Sequence, residues 1–415
     1  MRRFFALLFC MILCFPVAVS AAISCRAQTY PTADEESESY SGLNAFFRKF
    51  VTEFPKREAG TQSEAEAAEF LAEQFVQLRL TAYSEYFGEG EGYYQSFSYR
   101  ANDKSKSSRN VIGVKTALNA QGLVVVGAHY DNYADRVIDD KGNKLTGSQG
   151  AFDNGTGVSV LMELVNIAGL VEFPFDLVFC LFGAEEDGMQ GAEAFLSELT
   201  QEQRDSILLY VNLDSIGAGD SLYLYCDEFA TAHENFLRSL AAQKGLLLAE
   251  NPLNRKILTS GWQGYPYSHI GLASDNAAFL SYGINSASFF SFAWSSSKNY
   301  MAESDSKPSV RHTAKDNLNT LDELYGEAMT ETMGRVAEFV TQVLQEPDFV
   351  LEMKKSAESR FDYRWMLSTN LWAGVSVAVW IVLILGTLCG YLVLKGKIPP
   401  KEEPKFNVFG DGLDG

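Results

Sequence analysis

The sequence has few positively charged residues for its length. Its 415 residues include 34 Lys and Arg against 53 Asp and Glu, so the formal net charge at pH 7 is −19. This deficit argues against a nucleic-acid partner, because neutralising phosphates requires clustered basic side chains. The acidity is typical of a solvated protein surface. A preference for basic substrates is the alternative that charge alone leaves open.

Cysteine is also scarce. Two of the six cysteines lie in an N-terminal apolar stretch and one lies in a C-terminal apolar stretch. The remaining three, Cys25, Cys180 and Cys226, are too few for a disulfide framework. Cys180 and Cys226 fall in apolar runs that are typical of strands, so we expect buried free thiols there. A disulfide between them is the alternative if the protein is exported.

Long uncharged apolar runs occur only near the two ends of the chain. Two arginines precede the first run, at 4–19, and small residues follow it, so we expect a signal peptide that is cleaved after Ala21. Lipidation at Cys25 is the alternative, although residues 22–24 fit a lipoprotein signal poorly. The second run has no charge over residues 371–394 and is long enough to span the hydrocarbon core of a bilayer as a helix. A buried core helix is the alternative reading of the second run.

These signals predict a single-pass protein of the cell membrane. Lysines follow the second run more densely than arginines precede it, which places the C-terminus in the cytoplasm. The predicted segments are a signal peptide at 1–21, an extracytoplasmic domain at 22–345, a juxtamembrane stalk at 346–368, a transmembrane helix at 369–394 and a cytoplasmic tail at 395–415.

Between the two ends, apolar runs of strand length alternate with helical patterns, without an internal repeat. Strands are predicted at 111–114, 123–128, 177–182, 208–213, 222–225 and 286–290. Helices are predicted near 41–54, 62–79, 155–170, 191–199, 229–243 and 321–344. This alternation predicts an α/β fold, a three-layer α/β/α sandwich with a mostly parallel, mixed central sheet.

Three of these strands end in polar residues, in the segments VVVGAHYD, LVFCLFGAEE and LLYVNLDSIG. One polar strand end is an ordinary loop, but three in succession predict a site, because ligands bind at the carboxyl edge of open α/β sheets. His129 and Asp131 lie two residues apart and can point the same way at a strand end. Imidazole is a good zinc ligand, and a nearby carboxylate can fix its tautomer.

Four more acidic residues and a second histidine extend this pattern. Asp153 opens a helix in FDNGTG, where a helix cap is the simpler reading for a lone aspartate. Glu185 and Glu186 are adjacent, so one can bind a metal while the other takes a proton from water. Asp214 ends the next strand. His312 precedes the last helix and is one of only four histidines.

In this order, HYD, FDNGTG, GAEE, NLDSIG and RHTAKDNL resemble the M28 family of co-catalytic zinc aminopeptidases and carboxypeptidases. Residues 54–75 and 273–289 are also similar to that family, and the resemblance covers roughly residues 40–345. It implies a zinc-exopeptidase-like fold, two Zn²⁺ per chain and peptide substrates.

The resemblance also implies a role for each of the polar residues. It assigns His129 and Asp214 to one zinc, Glu186 and His312 to the other, Asp153 to a bridge between them, Glu185 to the general base and Asp131 to the support of His129. Two bridged ions would acidify a shared water, and Glu185 would accept its proton.

Two departures from the family pattern concern specificity. Asn276 stands in ASDN where the family often has His, and Arg311 stands where aminopeptidases often have Tyr directly before the last His. Arg311 could stabilise an anion or recognise a substrate carboxylate. Together with Asp275, these residues are candidates for substrate contacts.

The leading hypothesis is a zinc exopeptidase, and an aminopeptidase in particular. A glutaminyl cyclase-like zinc acyltransferase is the enzymatic alternative, because those enzymes share the fold and a similar ligand order. They typically use one zinc, whereas the DNGTG helix start and the paired glutamates here favour a peptidase. The non-enzymatic alternative is a receptor-like ectodomain, which is disfavoured because all five ligand positions and the base are filled.

Overall fold

The computed structural model describes residues 40–133, 147–226, 232–249, 274–293 and 303–359. The predicted signal peptide, transmembrane helix and cytoplasmic tail lie outside these ranges, as does Cys25. Within them, the structure has no helix with the length and apolarity needed to span a bilayer.

Eight strands in the described part of the chain form one mixed sheet. The strands are β1 (Thr81–Ala82), β2 (Tyr94–Ala101), β3 (Lys104–Lys115), β4 (Leu123–His129), β5 (Asp176–Phe182), β6 (Ile207–Leu213), β7 (Ser221–Tyr225) and β8 (Ser286–Phe292). Their order is β1-β3-β5-β4-β6-β8-β7, and β2 pairs with β3 as a hairpin. The four central strands are parallel, and the pairings toward both edges are antiparallel. The predicted mixed sheet with parallel strands is therefore confirmed.

Helices cover both faces of this sheet. They are α1 (Ser41–Glu53), α2 (Gln62–Gln77), α3 (Tyr83–Phe87), α4 (Thr156–Ala168), α5 (Gln190–Glu198), α6 (Gln201–Asp205), α7 (Ala232–Lys244), α8 (Asn276–Ser281), α9 (Leu318–Leu324) and α10 (Glu327–Leu344). Residues 349–359 are also helical.

Strand β4 separates the two hydrophobic cores. Val124 and Val126 face the larger core, which α1, α2, α4 and α10 share. Leu123 and Val125 face the smaller core, which α5 and α8 share. All seven residues of β4 are buried, since a central strand that is covered on both faces must be apolar throughout. This arrangement makes the domain a three-layer sandwich.

Part of the segment predicted as a stalk belongs to the domain. The 349–359 helix buries Phe349 and Ser356, and the Ser356 Oγ lies 2.7 Å from Nδ1 of the buried His233. The domain therefore extends past the predicted boundary at 345. The buried residues of the 349–359 helix form a narrow stripe. The many charged residues around this stripe obscure the helical spacing of the buried positions in the sequence.

Two other elements differ from the predictions. The helix predicted at 321–344 is two helices, α9 and α10, with Gly326 between them at a φ of +54°. The hairpin of β2 and β3 was not predicted, because β2 is largely polar and partly exposed. Cys180 and Cys226 are both buried, as expected, and Cys180 is a free thiol.

Candidate metal centre

The candidate centre lies at the carboxyl edge of the parallel strands. β4 ends at His129, β5 leads into Glu185 and Glu186, and β6 is followed by Asp214. Because β4 pairs in parallel with both β5 and β6, these three ends lie side by side. The polar strand ends that the sequence singled out therefore meet at one place.

Asp153 enters from the irregular turn Ala151–Gly155 that precedes α4. Its backbone is not helical, with φ −111° and ψ 94°, and its side chain does not cap α4. The backbone N–H groups of Phe152 and Asp153 donate to the carboxylate of Asp316, at 2.6 and 3.2 Å. This carboxylate holds the turn so that the Asp153 side chain faces the ends of the strands.

Asn154 fixes the same turn against β6. Its amide donates to the Leu213 carbonyl at 2.9 Å, and its Oδ1 accepts from the backbone N–H of Gly157 at 3.0 Å. A Cβ on Gly157 would lie 2.2 Å from the Leu213 carbonyl oxygen, so only glycine fits this close approach of α4 to β6. The DNGTG segment thus has a geometric reason for both its asparagine and its second glycine.

Five side chains form two groups that share Asp153. In the first group, Nε2 of His129 lies 3.1 Å from Oδ1 of Asp153 and 3.6 Å from Oδ1 of Asp214. In the second, Nε2 of His312 lies 3.0 Å from Oδ2 of Asp153 and 3.3 Å from Oε1 of Glu186. Imidazole nitrogen and carboxylate oxygen are both zinc ligands, so each group can hold a metal ion.

Several of these ligand atoms lack a hydrogen-bond partner in the described part of the protein, and a bound cation would satisfy them. Among the described residues, Nε2 of His129, Oδ1 of Asp153 and Nε2 of His312 are buried and have no hydrogen-bond partner. Buried polar atoms are rarely left unsatisfied, and metal ions would satisfy all three. Nδ1 of His129 lies 3.2 Å from the Asp131 carbonyl oxygen, which favours a proton on Nδ1 and a free lone pair on Nε2.

Glu185 is buried and belongs to neither group, although it adjoins Glu186. Burial raises the pKa of Glu185 well above its usual range; the charge of His129 opposes this rise and that of Glu186 adds to it. A carboxyl with a raised pKa can accept a proton and return it near neutral pH. Glu185 therefore has the chemistry of a general base next to the candidate metal ligands.

Asp131 has a second task beyond the predicted support of His129. Its Oδ1 is 3.5 Å from Nδ1 of His129. Its two carboxylate oxygens accept the backbone N–H groups of Glu185 and Glu186, at 3.0 and 3.1 Å. Asp131 therefore ties the end of β4 to the turn that carries the candidate base.

Arg311 makes a contact that the sequence did not predict. Its Nε donates to Oδ2 of Asp153 at 2.7 Å. Burial alone would raise the pKa of Asp153, but the charge of Arg311, the close imidazoles of His129 and His312 and the charge of His312 hold it well below its usual range. The guanidinium is thus engaged by the shared ligand of the two groups.

Asp275 and Asn276 are buried at the start of α8. Within the described residues, neither carboxylate oxygen of Asp275 has a hydrogen-bond partner. Burial raises the pKa of Asp275 to about 8, with His129 opposing the rise and the charges of Asp131 and Asp214 adding to it. The Asp275 carboxyl therefore experiences the charges of two members of the first ligand group, His129 and Asp214.

Two residues that support the centre were missed in the sequence. Arg57 is fully buried, and its guanidinium donates to the main-chain carbonyls of Phe54, Tyr130, Gln149 and Gly150. Asp316, described above, is also buried. Both lie inside segments that carry the family resemblance, in REAGT and RHTAKD, and that position was the available signal.

The sequence profile of peptidase family M28 matches residues 110–337, just over half of the chain. The chain therefore belongs to peptidase family M28, and the matched region is a metallopeptidase domain of that family. All five side chains of the two ligand groups, together with Glu185, lie within the matched range.

Two curated relatives match shorter parts of the chain. The alkaline phosphatase isozyme conversion protein of Escherichia coli (strain K12) is 30% identical over 186 residues, which are 43% of this chain and 52% of that protein. Aminopeptidase YwaD of Bacillus subtilis (strain 168) is 25% identical over 234 residues, which are 55% of this chain and 46% of that protein. The chain thus spans about half the length of the curated relatives it matches.

Two solved structures share the fold. BSAP, a zinc aminopeptidase from Bacillus subtilis, aligns with a TM-score of 0.53 at 17% identity, over 76% of this chain and 95% of that one. Porphyromonas gingivalis glutaminyl cyclase aligns with a TM-score of 0.53 at 20% identity, over 73% and 98% of the two chains. These similarities confirm the predicted zinc-aminopeptidase-like fold.

Proposed function

We propose that this chain is a zinc-dependent exopeptidase, an aminopeptidase, that holds two zinc ions. The observation that carries the proposal is the pair of ligand groups that share Asp153, with Glu185 beside them. Each group would hold one ion, with Asp153 common to both. When bound, the ions would supply Lewis acidity to the scissile carbonyl and would lower the pKa of a water molecule.

Glu185 would carry the proton in this reaction. Its carboxylate accepts a proton from the attacking water, whose oxygen adds to the scissile carbonyl carbon. The carboxyl then gives that proton to the leaving nitrogen as the carbon–nitrogen bond breaks. The products are a new amine and a new carboxylic acid, which keeps the second proton of the water until it ionises. Asp131 keeps Glu185 in position through the backbone N–H.

The polar groups around the centre support a free amino terminus over a free carboxyl terminus as the recognised group. The carboxyl of Asp275 makes no hydrogen bond among the described residues and could accept a hydrogen bond from a substrate amino group. Arg311 is the residue that could have recognised a substrate carboxylate, but Asp153 engages it. Asn276, next to Asp275, is proposed as a further substrate contact.

We also propose peptides and a membrane as the partners of this chain, and no nucleic acid. The sequence signals at 1–21 and 369–394 support a single-pass protein of the cell membrane with its catalytic domain on the extracytoplasmic side.

The substitution Glu185→Gln tests the proposed base. We expect this variant to retain its zinc, because Glu185 lies outside both ligand groups, and to lose about 100-fold or more in the hydrolysis of peptides with free amino termini. Zinc content and initial rates measure the two effects. Glu172→Gln, which changes a side chain that is 85% exposed, is the matched control. Full turnover by Glu185→Gln would remove Glu185 from the mechanism.

A glutaminyl cyclase-like activity is the second candidate, supported by the fold shared with the Porphyromonas gingivalis enzyme. A peptide with an N-terminal glutamine distinguishes the two activities. Cleavage releases glutamine, whereas cyclisation releases ammonia and leaves a peptide of otherwise unchanged length. A chain that binds no zinc and produces neither product would instead support the receptor-like ectodomain.

A further inference from the structure

The two ligand groups differ in their surroundings. His129, Asp153 and Asp214 are buried, whereas Glu186 and His312 are only partly buried. The side chain of His312 is 35% exposed, against 1% for His129. Buried ligands with fixed orientations lose less freedom when they bind an ion, so the first group is better organised for a metal.

Arg311 lies on the side of the second group. Its Nε donates to Oδ2 of Asp153, which is the oxygen that lies 3.0 Å from Nε2 of His312. The other oxygen of Asp153, Oδ1, faces His129. The guanidinium therefore shares its carboxylate oxygen with the second group and not with the first.

The main chain around Arg311 is fixed. Its backbone N–H donates to Oε1 of Glu303 at 2.9 Å, and Glu303 is fully buried. The guanidinium itself lies 6.0 Å from the centre of the Phe292 ring. The positive charge is therefore held beside Asp153 by several contacts.

A fixed positive charge at this place acts against a second cation. An arginine remains protonated at physiological pH, and like charges a few ångströms apart repel strongly in a buried environment. The hydrogen bond from Nε also occupies a lone pair of the oxygen that the second ion would need. The hydrogen bond does not involve Oδ1, which faces the first group, so the first site is affected less.

We propose that Arg311 makes the two metal sites unequal, so that the site of His129, Asp153 and Asp214 fills at a lower zinc concentration than the site of Asp153, Glu186 and His312. The inference rests on the proposed two-zinc function. It adds that the zinc concentration determines whether one or both sites are filled. When zinc is limiting, the chain holds one ion in the buried site. The ion held by Glu186 and His312 is added only at higher zinc concentration.

Zinc titration of the metal-free, full-length chain in detergent tests this proposal. The chain is stripped with a chelator, dialysed and titrated with Zn²⁺ in competition with a chromophoric zinc chelator. We expect two binding steps whose dissociation constants differ by about tenfold or more. Asp214→Asn should remove the tighter step, and Glu186→Gln should remove the weaker one.

Variants of Arg311 test whether this residue causes the difference between the two zinc dissociation constants. Arg311→Met removes the charge and should tighten the weaker step by about tenfold or more, while the tighter step changes little. Arg311→Lys keeps the charge and should keep two clearly separated steps. Arg335→Met removes an arginine whose contacts are the Gly245 carbonyl and Glu331, and it should leave both steps unchanged.

The other outcomes contradict the proposal in distinguishable ways. Two equal steps in the unmodified chain would overturn the inference and leave the proposed function standing. An unchanged ratio in Arg311→Met, or equal weakening of both steps in Arg311→Met and Arg311→Lys, would show that Arg311 acts only on structure. One ion at saturating zinc would overturn the two-zinc proposal together with the inference.

Discussion

The two turns that carry the acidic residues of the centre are held in place differently. The Asp153 turn (Ala151–Gly155) is anchored by an amide, an arginine and one carboxyl group. The Glu185 turn (residues 183–188) is anchored by carboxyl groups. The side chains of both turns meet at the candidate metal centre. The two turns differ in the groups that hold them in position.

The anchors of the Asp153 turn are buried. Asn154 bonds to Leu213 and Gly157, and Asp316 accepts two backbone N–H groups of the turn. Arg57 holds the carbonyls of Gln149 and Gly150 directly before it. Asp316 is the one titratable acceptor among these anchors, and burial raises its pKa to about 7.

Three carboxyl groups hold the Glu185 turn. Asp131 accepts the N–H groups of Glu185 and Glu186, as described above. Glu64 accepts from Ser108 Oγ at 2.5 Å and from the Gly60 N–H at 2.6 Å, and it also bonds to the Ala184 N–H. Asp187, directly after Glu186, accepts from Tyr99 and Lys106 of the hairpin. The Glu185 turn is therefore held by three carboxyl acceptors, against one for the Asp153 turn.

The largest expected effect comes from Arg57. Arg57→Met leaves several buried carbonyls without a donor, and we expect it to lower the free energy of unfolding by about 3–4 kcal/mol. Arg48→Met removes a half-exposed arginine that pairs with Asp322, and it should cost less than about 1 kcal/mol. Denaturant unfolding of both variants measures the contrast. Similar losses in the two variants would contradict the assignment of Arg57 as a buried anchor.

An intermediate effect concerns Glu64 and pH. Burial, followed by the charge of Asp131, raises the pKa of Glu64 to about 8 in the folded chain, from an ordinary value of 4.5. The folded state therefore binds this proton more tightly than the unfolded state does. The resulting stability is fully present below about pH 4.5 and is lost as pH rises through about 8.

Between these limits, Glu64 lowers the free energy of unfolding by at most about 1.4 kcal/mol per pH unit. Glu64→Gln should flatten this decline, because the amide does not titrate. Urea unfolding of the metal-free chain at pH 5.5 and pH 8 compares the two proteins, and other buried acids contribute equally to both. An identical pH slope in the variant would rule out Glu64 as its source.

The smallest expected effect lies at the edge of the Glu185 turn. Asp187 is 2% exposed, and its Oδ2 accepts from Tyr99 Oη at 2.7 Å and from Lys106 Nζ at 2.8 Å. Asp187→Asn removes the charge of the acceptor, and we expect a loss of about 1 kcal/mol in the free energy of unfolding. Zinc content should be unchanged, and peptidase activity should fall a few-fold as the turn loosens. Wild-type stability and activity in this variant would show that the hairpin does not position the turn.

The sequence predicts well the parts that depend on strand ends and local motifs. His129, Asp153, Glu186, Asp214 and His312 come together because the polar ends of neighbouring parallel strands meet at one edge. Their roles as zinc ligands stay a prediction. Four of the central strands were readable as short apolar runs, because strands that are buried on both faces must be apolar throughout.

The features that the sequence did not predict are long-range contacts between polar residues. Arg311 and Asp153 are 158 positions apart, and Arg57 and Gly150 are 93 apart. No local pattern encodes such pairs, because either partner alone has the composition of an ordinary surface residue. The 349–359 helix was missed for a related reason, since only the packed domain shows which of its residues are covered.

The sharing of Asp153 decides which inactive form of this protein is suitable for trapping a bound peptide. Replacing Asp153 would take a ligand from both groups and would also leave the guanidinium of Arg311 beside them without its acceptor. The inactivity of such a variant would reflect the loss of both ligand groups and an unpaired buried charge, and not the loss of one chemical step. Glu185→Gln changes a side chain that neither group uses, so it is the better choice for co-crystallisation with uncleaved substrate.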